Sequence, residues 1–414
     1  MTAGPDHCVL LIVDGLGDLP VPLLGDKTPL DAAHTPNLDH LAGSGCYGEV
    51  DPIEPDVTAN THSGAGLLLG IHPDQIDDLR RGPVEAAGAG RELQNGEIAV
   101  RVNFASLVDG PNGLLITDRR AGRISDNTRE LAASLDQVDL GDGVFASLQP
   151  TDQHRAVLVL SGPGLDDRVT DTDPGDGPLP VPMLRATAIN AAAQNTADKI
   201  NQFVELAYRH LNHHPVNRAR IEAGLPPASG VITRGAGQVS RLDNVVIESG
   251  LRTAVVCGCN TISGLGRLFG FDILNDPRFT ADLETDLEAK VAAAIAALQD
   301  HDLVYMHFKA PDICSHDRQP AAKRDYIERL DKALAPLLTA GAVLALTADH
   351  ATNSNTGFHT ADPVPSLLFV AGEKAGNGVV KFGEQACKTG TMNRQTGTEF
   401  LRRVLASIGI NNRP

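Results

Sequence analysis

The chain has 414 residues, 42% hydrophobic and 21% charged, which suits a globular protein too long for one compact core, so two domains are expected. The formal net charge of −17 argues against a nucleic-acid surface, because phosphate backbones demand basic patches. No run approaches the roughly 18–20 apolar residues that span a bilayer, and the opening residues lack a basic leader, so a cytoplasmic protein without membrane attachment is expected.

In chain order, "CVLLIVDG" is a short β-branched run that predicts a buried strand with Asp14 at its C-terminal end. "TPNLDHLAGSG" predicts a short helix closed by glycine. A Pro-rich extended stretch then leads into "TANTHSGAG", with a helix starting near Thr61. From about residue 72 to about 190, Gly, Pro and Asp become dense. There the strand-like runs "EIAVRVNFASL", "GLLITD" and "HRAVLVLSG" alternate with turns, and "ISDNTRELAASL" is helical. Residues 72–190 are therefore expected as a smaller α+β domain inserted into a core made of 1–71 and 191–414. The core resumes with a long amphipathic helix, "NAAAQNTADKINQFVELAYRHLNHH". The runs "GVITRG", "VVIESG", "RTAVVCG", "DLVYMHFKA" and "AVLALTADH" then alternate with helical segments. That alternation predicts an α/β fold with a mostly parallel sheet between helix layers.

Three apolar strands end in polar clusters: Asp14; then Asp312 and His316 in "LVYMHFKAPDICSHD"; then Asp349 and His350, with His359 shortly after. Parallel strands place such ends at one sheet edge, where open α/β sheets form their sites. Taken singly, each residue reads as a turn or cap. Brought together, carboxylates repel by about 4 kcal/mol per pair at ~4 Å, so the cluster calls for cations. Asp and His together suit Mn or Zn, with Mg or Co as further options. A two-metal site needs about seven protein ligands, and the cluster supplies all but one. A hydroxyl nucleophile completes the set. Thr61, at a helix N-terminus that favours phosphate, is the prime candidate, with Ser63 and Thr58 as competitors. The six cysteines are expected as free thiols, and the Cys257/Cys259 pair lacks the second pair that a zinc site requires. The Gly-rich "SGLGRLFG" falls short of a dinucleotide fingerprint.

The motifs "VDGLGDLP", "KTPLDAAHTPNLDHLAGSG", "RRGPVEAAGAG", "DRRAGRI", "DTDP", "HPVNRARIEAGLPPASGVITRGAG", "KAPDICSHD" and "ADHAT…HTADPVP" are similar to those of a known family. The chain resembles, over nearly its whole length, the archaeal-type 2,3-bisphosphoglycerate-independent phosphoglycerate mutases of the alkaline phosphatase superfamily. The resemblance implies a phosphatase-like core with two divalent ions and a smaller domain that closes over the substrate. It assigns Asp312, His316 and His359 to one metal, and Asp14, Thr61, Asp349 and His350 to the other. For substrate binding it implies Arg81, Arg119, Arg123, His154, Arg155, Asp171, Asp173 and Arg234, since guanidinium forks suit phosphate and carboxylate. The implied reaction converts 3-phosphoglycerate to 2-phosphoglycerate through a phosphorylated Thr61. The implied partner is a small anionic phosphorylated substrate, and the implied assembly is a monomer or small homo-oligomer.

The sequence departs from the family pattern at five places. Thr61 stands for the usual Ser, with His62 where an Asp is expected and Ala65 where a His is expected. Ser263 replaces a Lys, and Asn353 replaces a Pro. His62 is the candidate acid/base in place of the missing Asp. These departures raise an alternative: a paralogue that transfers or hydrolyses a related small phosphate or phosphonate ester. A catalytically inactive metal-binding homologue is the third reading.

Overall fold

The computed structural model describes residues 6–175, 177–239, 242–370 and 380–410. The chain divides into two compact units, one formed by 1–77 with 242–414 and the other by 78–241. No helix of the described residues is long and apolar enough to cross a membrane.

The first unit is built on an eight-stranded mixed sheet. Its strand order is Asp272–Leu274, Thr253–Val256, Leu303–Phe308, Cys8–Val13, Val343–Thr347, Val364–Phe369, Cys46–Asp51 and Gln395–Thr396. The first five run parallel, and the Val364 strand is antiparallel to both its neighbours. The Cys8, Leu303 and Val343 strands are buried along their whole length, as near-continuous apolar runs in a parallel sheet should be. Their register positions the chemistry. Val13 pairs with Phe308 and Ile12 with Thr347, so Asp14, Lys309 and Asp349 leave the sheet at the same edge.

The second unit holds a seven-stranded sheet in which every pairing is antiparallel. Its long strand, Ile98–Gly110, pairs with Arg155–Ser161, Gly113–Asp118 and Gly230–Gly237. The return to the first unit therefore falls after residue 241, later than the expected 190/191 boundary. The reason is packing. Helix Gln194–Leu211 buries Ala197, Ile200, Phe203, Val204, Ala207 and Leu211 in one cluster with Ile98, Val100, Val102 and Phe104. "GVITRG", expected in the parallel sheet, is an antiparallel strand of this second sheet. "VVIESG", expected as a strand, forms a single helical turn, Val245–Glu248, because Asn244 caps it by accepting from the Val246 and Ile247 N–H groups.

Candidate active site

Thr61 is the first residue of helix Thr61–Leu68. The cap is Asn60, whose side chain accepts from the backbone N–H of His62 at 3.0 Å and of Ser63 at 3.3 Å. The Ser63 hydroxyl accepts from the Asn60 N–H at 3.2 Å, completing a capping box. Ser63 is thus committed to the helix start, Thr58 is exposed, and the Thr61 hydroxyl is free for other partners. It donates to Asp14 Oδ2 at 3.3 Å, accepts from Lys309 Nζ at 3.0 Å and lies 3.3 Å from His350 Nε2. The helix seats closely on the sheet edge because residue 64 is glycine. A Cβ there would stand 1.8 Å from the Asp349 carbonyl oxygen.

A second cluster lies alongside. Asp312 and His316 sit four residues apart on helix Ala310–His316, hence on one face. His359 comes from the hairpin Ala351–Asn353/Phe358–Thr360. His316 Nδ1 donates to the Gly357 carbonyl at 2.7 Å and His359 Nδ1 to the Ala59 carbonyl at 3.0 Å. Carbonyl oxygens only accept, so in the neutral imidazoles both Nε2 atoms carry lone pairs. These two atoms face each other at 3.2 Å, with Asp312 Oδ1 3.3 Å from one and 3.6 Å from the other. Facing lone pairs beside a carboxylate fit a divalent cation.

The first cluster fits one as well. The ligating atoms of Asp14, Asp312 and His350 lie within 4.8 Å of one another, as do those of Asp14, His307 and Asp349. Asp349 Oδ2 is buried without a hydrogen-bond partner, the condition of a carboxylate oxygen shaped for a metal.

Charge in the cluster is tightly balanced. Burial opposes ionisation of Asp14 and Asp312, but the Lys309 ammonium, which bridges them at 2.9 and 2.7 Å, holds both carboxyls well below the usual range. Burial and the Asp14 charge push Asp349 up. Burial alone would lower His350, yet Asp349, Asp14 and Asp312 outweigh it and hold the imidazole up to about 9. His316 is pushed down by burial, against the pull of Asp312, which leaves it in the neutral, ligating form.

Two of these groups escaped the sequence reading. Lys309 had the signal of a lone cation three residues before Asp312. His307 had that of an imidazole inside an apolar strand, and its Nε2 lies 3.0 Å from Asp14 Oδ2. At Ser263, where the family pattern expects a Lys, the hydroxyl is 3.2 Å from Cys257 Sγ. Cys257 and Cys259 are both buried and form no disulfide.

The second unit gathers its own set. Asp173 is gripped by Arg119 and by Arg234, the latter at 2.6 Å. Asp171 accepts from the Gly235 N–H at 2.8 Å. Burial and the neighbouring guanidiniums of Arg234 and Arg155 lower Arg81. Burial and Arg155 lower Arg101 to about 9. Burial together with Arg155, Arg120, Arg101 and Arg123 drives His154 down to about 2, so it is neutral at physiological pH. Arg81, Arg101, Arg155 and Arg234 thus lie near enough to act on one another, with Glu85, Asp171 and Asp173 as carboxylate neighbours in the same group. Arg101 was missed in the sequence, where it stands as a charge within the alternating strand "IAVRVNF".

A model of the metalloenzyme superfamily matches residues 6–403. The chain is 40% identical over 407 residues to a 2,3-bisphosphoglycerate-independent phosphoglycerate mutase of Methanopyrus kandleri, covering 96% of each. It is 39% identical over 408 residues to one of Archaeoglobus fulgidus, covering 97% of this chain and 98% of that one. Among solved structures, a protein from Pyrococcus horikoshii aligns over 100% of both chains with a TM-score of 0.81 and 27% identity. The cofactor-independent phosphoglycerate mutase from Thermoplasma acidophilum aligns over 97% of this chain and 100% of that one, with a TM-score of 0.65 and 31% identity.

Proposed function

We propose that this chain, which belongs to the metalloenzyme superfamily and within it to the 2,3-bisphosphoglycerate-independent phosphoglycerate mutase family, interconverts 3-phosphoglycerate and 2-phosphoglycerate through a phosphorylated Thr61. The observation that carries this reading is the Thr61 hydroxyl at a helix N-terminus, touching Asp14, Lys309 and His350 at 3.0–3.3 Å.

Asp312, His316 and His359 would hold one divalent ion, and Asp14, Thr61, Asp349 and His350 the other. The imidazole content favours Mn or Zn over Mg. When bound, such ions neutralise phosphoryl oxygens and make the Thr61 hydroxyl easier to deprotonate.

The chain's own groups do the rest. Thr61 Oγ, its own proton already released to solvent, attacks phosphorus; its bond to phosphorus forms as the bond from phosphorus to the glycerate oxygen breaks. The departing oxygen takes a proton, for which buried His62, next to the nucleophile, is the proposed donor. The other glycerate hydroxyl then passes its proton back to His62 and attacks the phosphothreonine, which frees Thr61 Oγ for the next cycle. The Lys309 ammonium supplies fixed positive charge at the oxygen where the bond changes, where Ser263 offers none. In the second unit, the guanidiniums of Arg81, Arg119, Arg123, Arg155 and Arg234, with His154, Asp171 and Asp173, form the proposed recognition set for the substrate's carboxylate and phosphate.

The test is an enolase-coupled assay of Mn-loaded protein with 3-phosphoglycerate. Turnover is expected, and Thr61→Ala should lower it about 10⁴-fold or more and abolish the phospho-enzyme. Metal-loaded protein without turnover would redirect the chemistry to a related phosphate or phosphonate ester.

A further inference from the structure

We propose that Thr352 is a positioning residue that ties the two ligand clusters together through one shared hydroxyl, an inference that rests on the two-ion reading above. Thr352 is fully buried on the three-residue strand Ala351–Asn353, paired opposite His359. Its Oγ1 lies 3.0 Å from Asp312 Oδ1, in one cluster, and 3.0 Å from His350 Nδ1, in the other.

Proton counting fixes the direction of both bonds. A threonine hydroxyl has a single proton, and a carboxylate only accepts. The proton therefore goes to Asp312, and Oγ1 must accept from His350 Nδ1–H. A protonated Nδ1 leaves Nε2 of the neutral imidazole as the lone-pair atom. That atom faces Asp14 Oδ1 at 3.2 Å and the Thr61 hydroxyl at 3.3 Å. One hydroxyl thus sets the tautomer of an imidazole at the first cluster and the orientation of a carboxylate at the second.

His350 differs here from its neighbours. His316 and His359 have their Nδ1 protons fixed by backbone carbonyls, whereas His350 depends on a side chain. The fold makes room for the arrangement at residue 15. Gly15 adopts φ +63°, and a Cβ there would stand 2.8 Å from Thr352 Oγ1 and 2.9 Å from Asp312 Cβ. The dipeptide Asp14-Gly15 therefore presents the carboxylate and leaves the threonine its space.

The test compares wild type, Thr352→Val and Thr352→Ser as full-length, chelator-treated proteins. Mn²⁺ binding is measured by titration calorimetry, and folding is checked by circular dichroism. Wild type and the Ser variant are expected to bind two ions with similar affinities. The Val variant, nearly the same shape without the hydroxyl, should lose about 10–100-fold in affinity at both sites. If the Val variant does not fold, Thr352→Ala carries the same comparison. Two wild-type affinities in the folded Val or Ala variant, or failure of the Ser variant to restore them, overturns the role of Thr352 alone. Wild type that takes up no Mn²⁺ overturns the two-ion reading, and the Thr352 role with it.

Discussion

His350 shows how much chemistry one residue can concentrate. Without metal, its carboxylate neighbours keep the imidazole protonated below about pH 9, and a protonated imidazole cannot ligate. Metal uptake at neutral pH must therefore expel a proton from it. The sign follows: affinity weakens as pH falls below about 9, by up to about tenfold per unit for each proton displaced. Calorimetric titrations of Mn²⁺ at pH 7 in buffers of different ionisation enthalpy should show proton release. A His350→Gln variant should lose that component, and heats independent of buffer in the wild type would contradict the assignment. Lys309 is the counterpart. It escaped the sequence reading although it stands three residues before Asp312, because its contacts with Asp14 and Thr61 span about 250 residues or more. No local pattern announces them.

At the scale of elements, the hairpin that carries Thr352 and His359 is too short to hold itself in place. It is tied down from behind. Asp18 accepts from the Ser354 N–H at 2.9 Å and from the Ser354 hydroxyl, and it pairs with Lys323 at 2.8 Å, both side chains fully buried. Lys323 reaches in from helix Pro320–Ala333. Breaking one half of a buried pair strands the other charge. Lys323→Met should therefore destabilise the protein by about 3–5 kcal/mol in urea unfolding, and the double variant with Asp18→Asn should recover part of that loss. Equal losses in the single and double variants would show that the pair is not coupled. Element type and strand ends were legible wherever a run was long or its ending sharp, as in "CVLLIVDG". The "VVIESG" turn was misread because three β-branched apolar residues suit a strand and a capped helical turn equally. Only Asn244, accepting from the Val246 and Ile247 N–H groups, selected the helix.

For the whole molecule, the balance of buried charge also governs stability. Burial and the nearby Asp31 carboxylate push the Glu384 carboxyl up to about 8, against the Thr28 hydroxyl that donates to it at 2.5 Å. The unfolded chain releases that proton near the ordinary 4.5. Between those values the folded state binds the extra proton, so stability falls as pH rises through the window, by up to about 1.4 kcal/mol per unit. Glu384→Gln should flatten this slope in thermal unfolding followed from pH 5 to 8; an unchanged slope would place the cause elsewhere. The sequence by itself determined the α/β class and showed Asp14, Asp312, His316, Asp349, His350 and His359 at or shortly after strand ends. These depend on apolar runs and their endings, and parallel strands carry such endings to one edge whatever the loops do. Only the tertiary structure decided where the second unit closes, that Asn60 caps the helix and leaves the Thr61 hydroxyl to the cluster, and that Lys309, His307 and Thr352 join it. Those outcomes depend on packing and on hydrogen bonds between residues far apart in the chain, and a periodicity read over a dozen residues does not encode them.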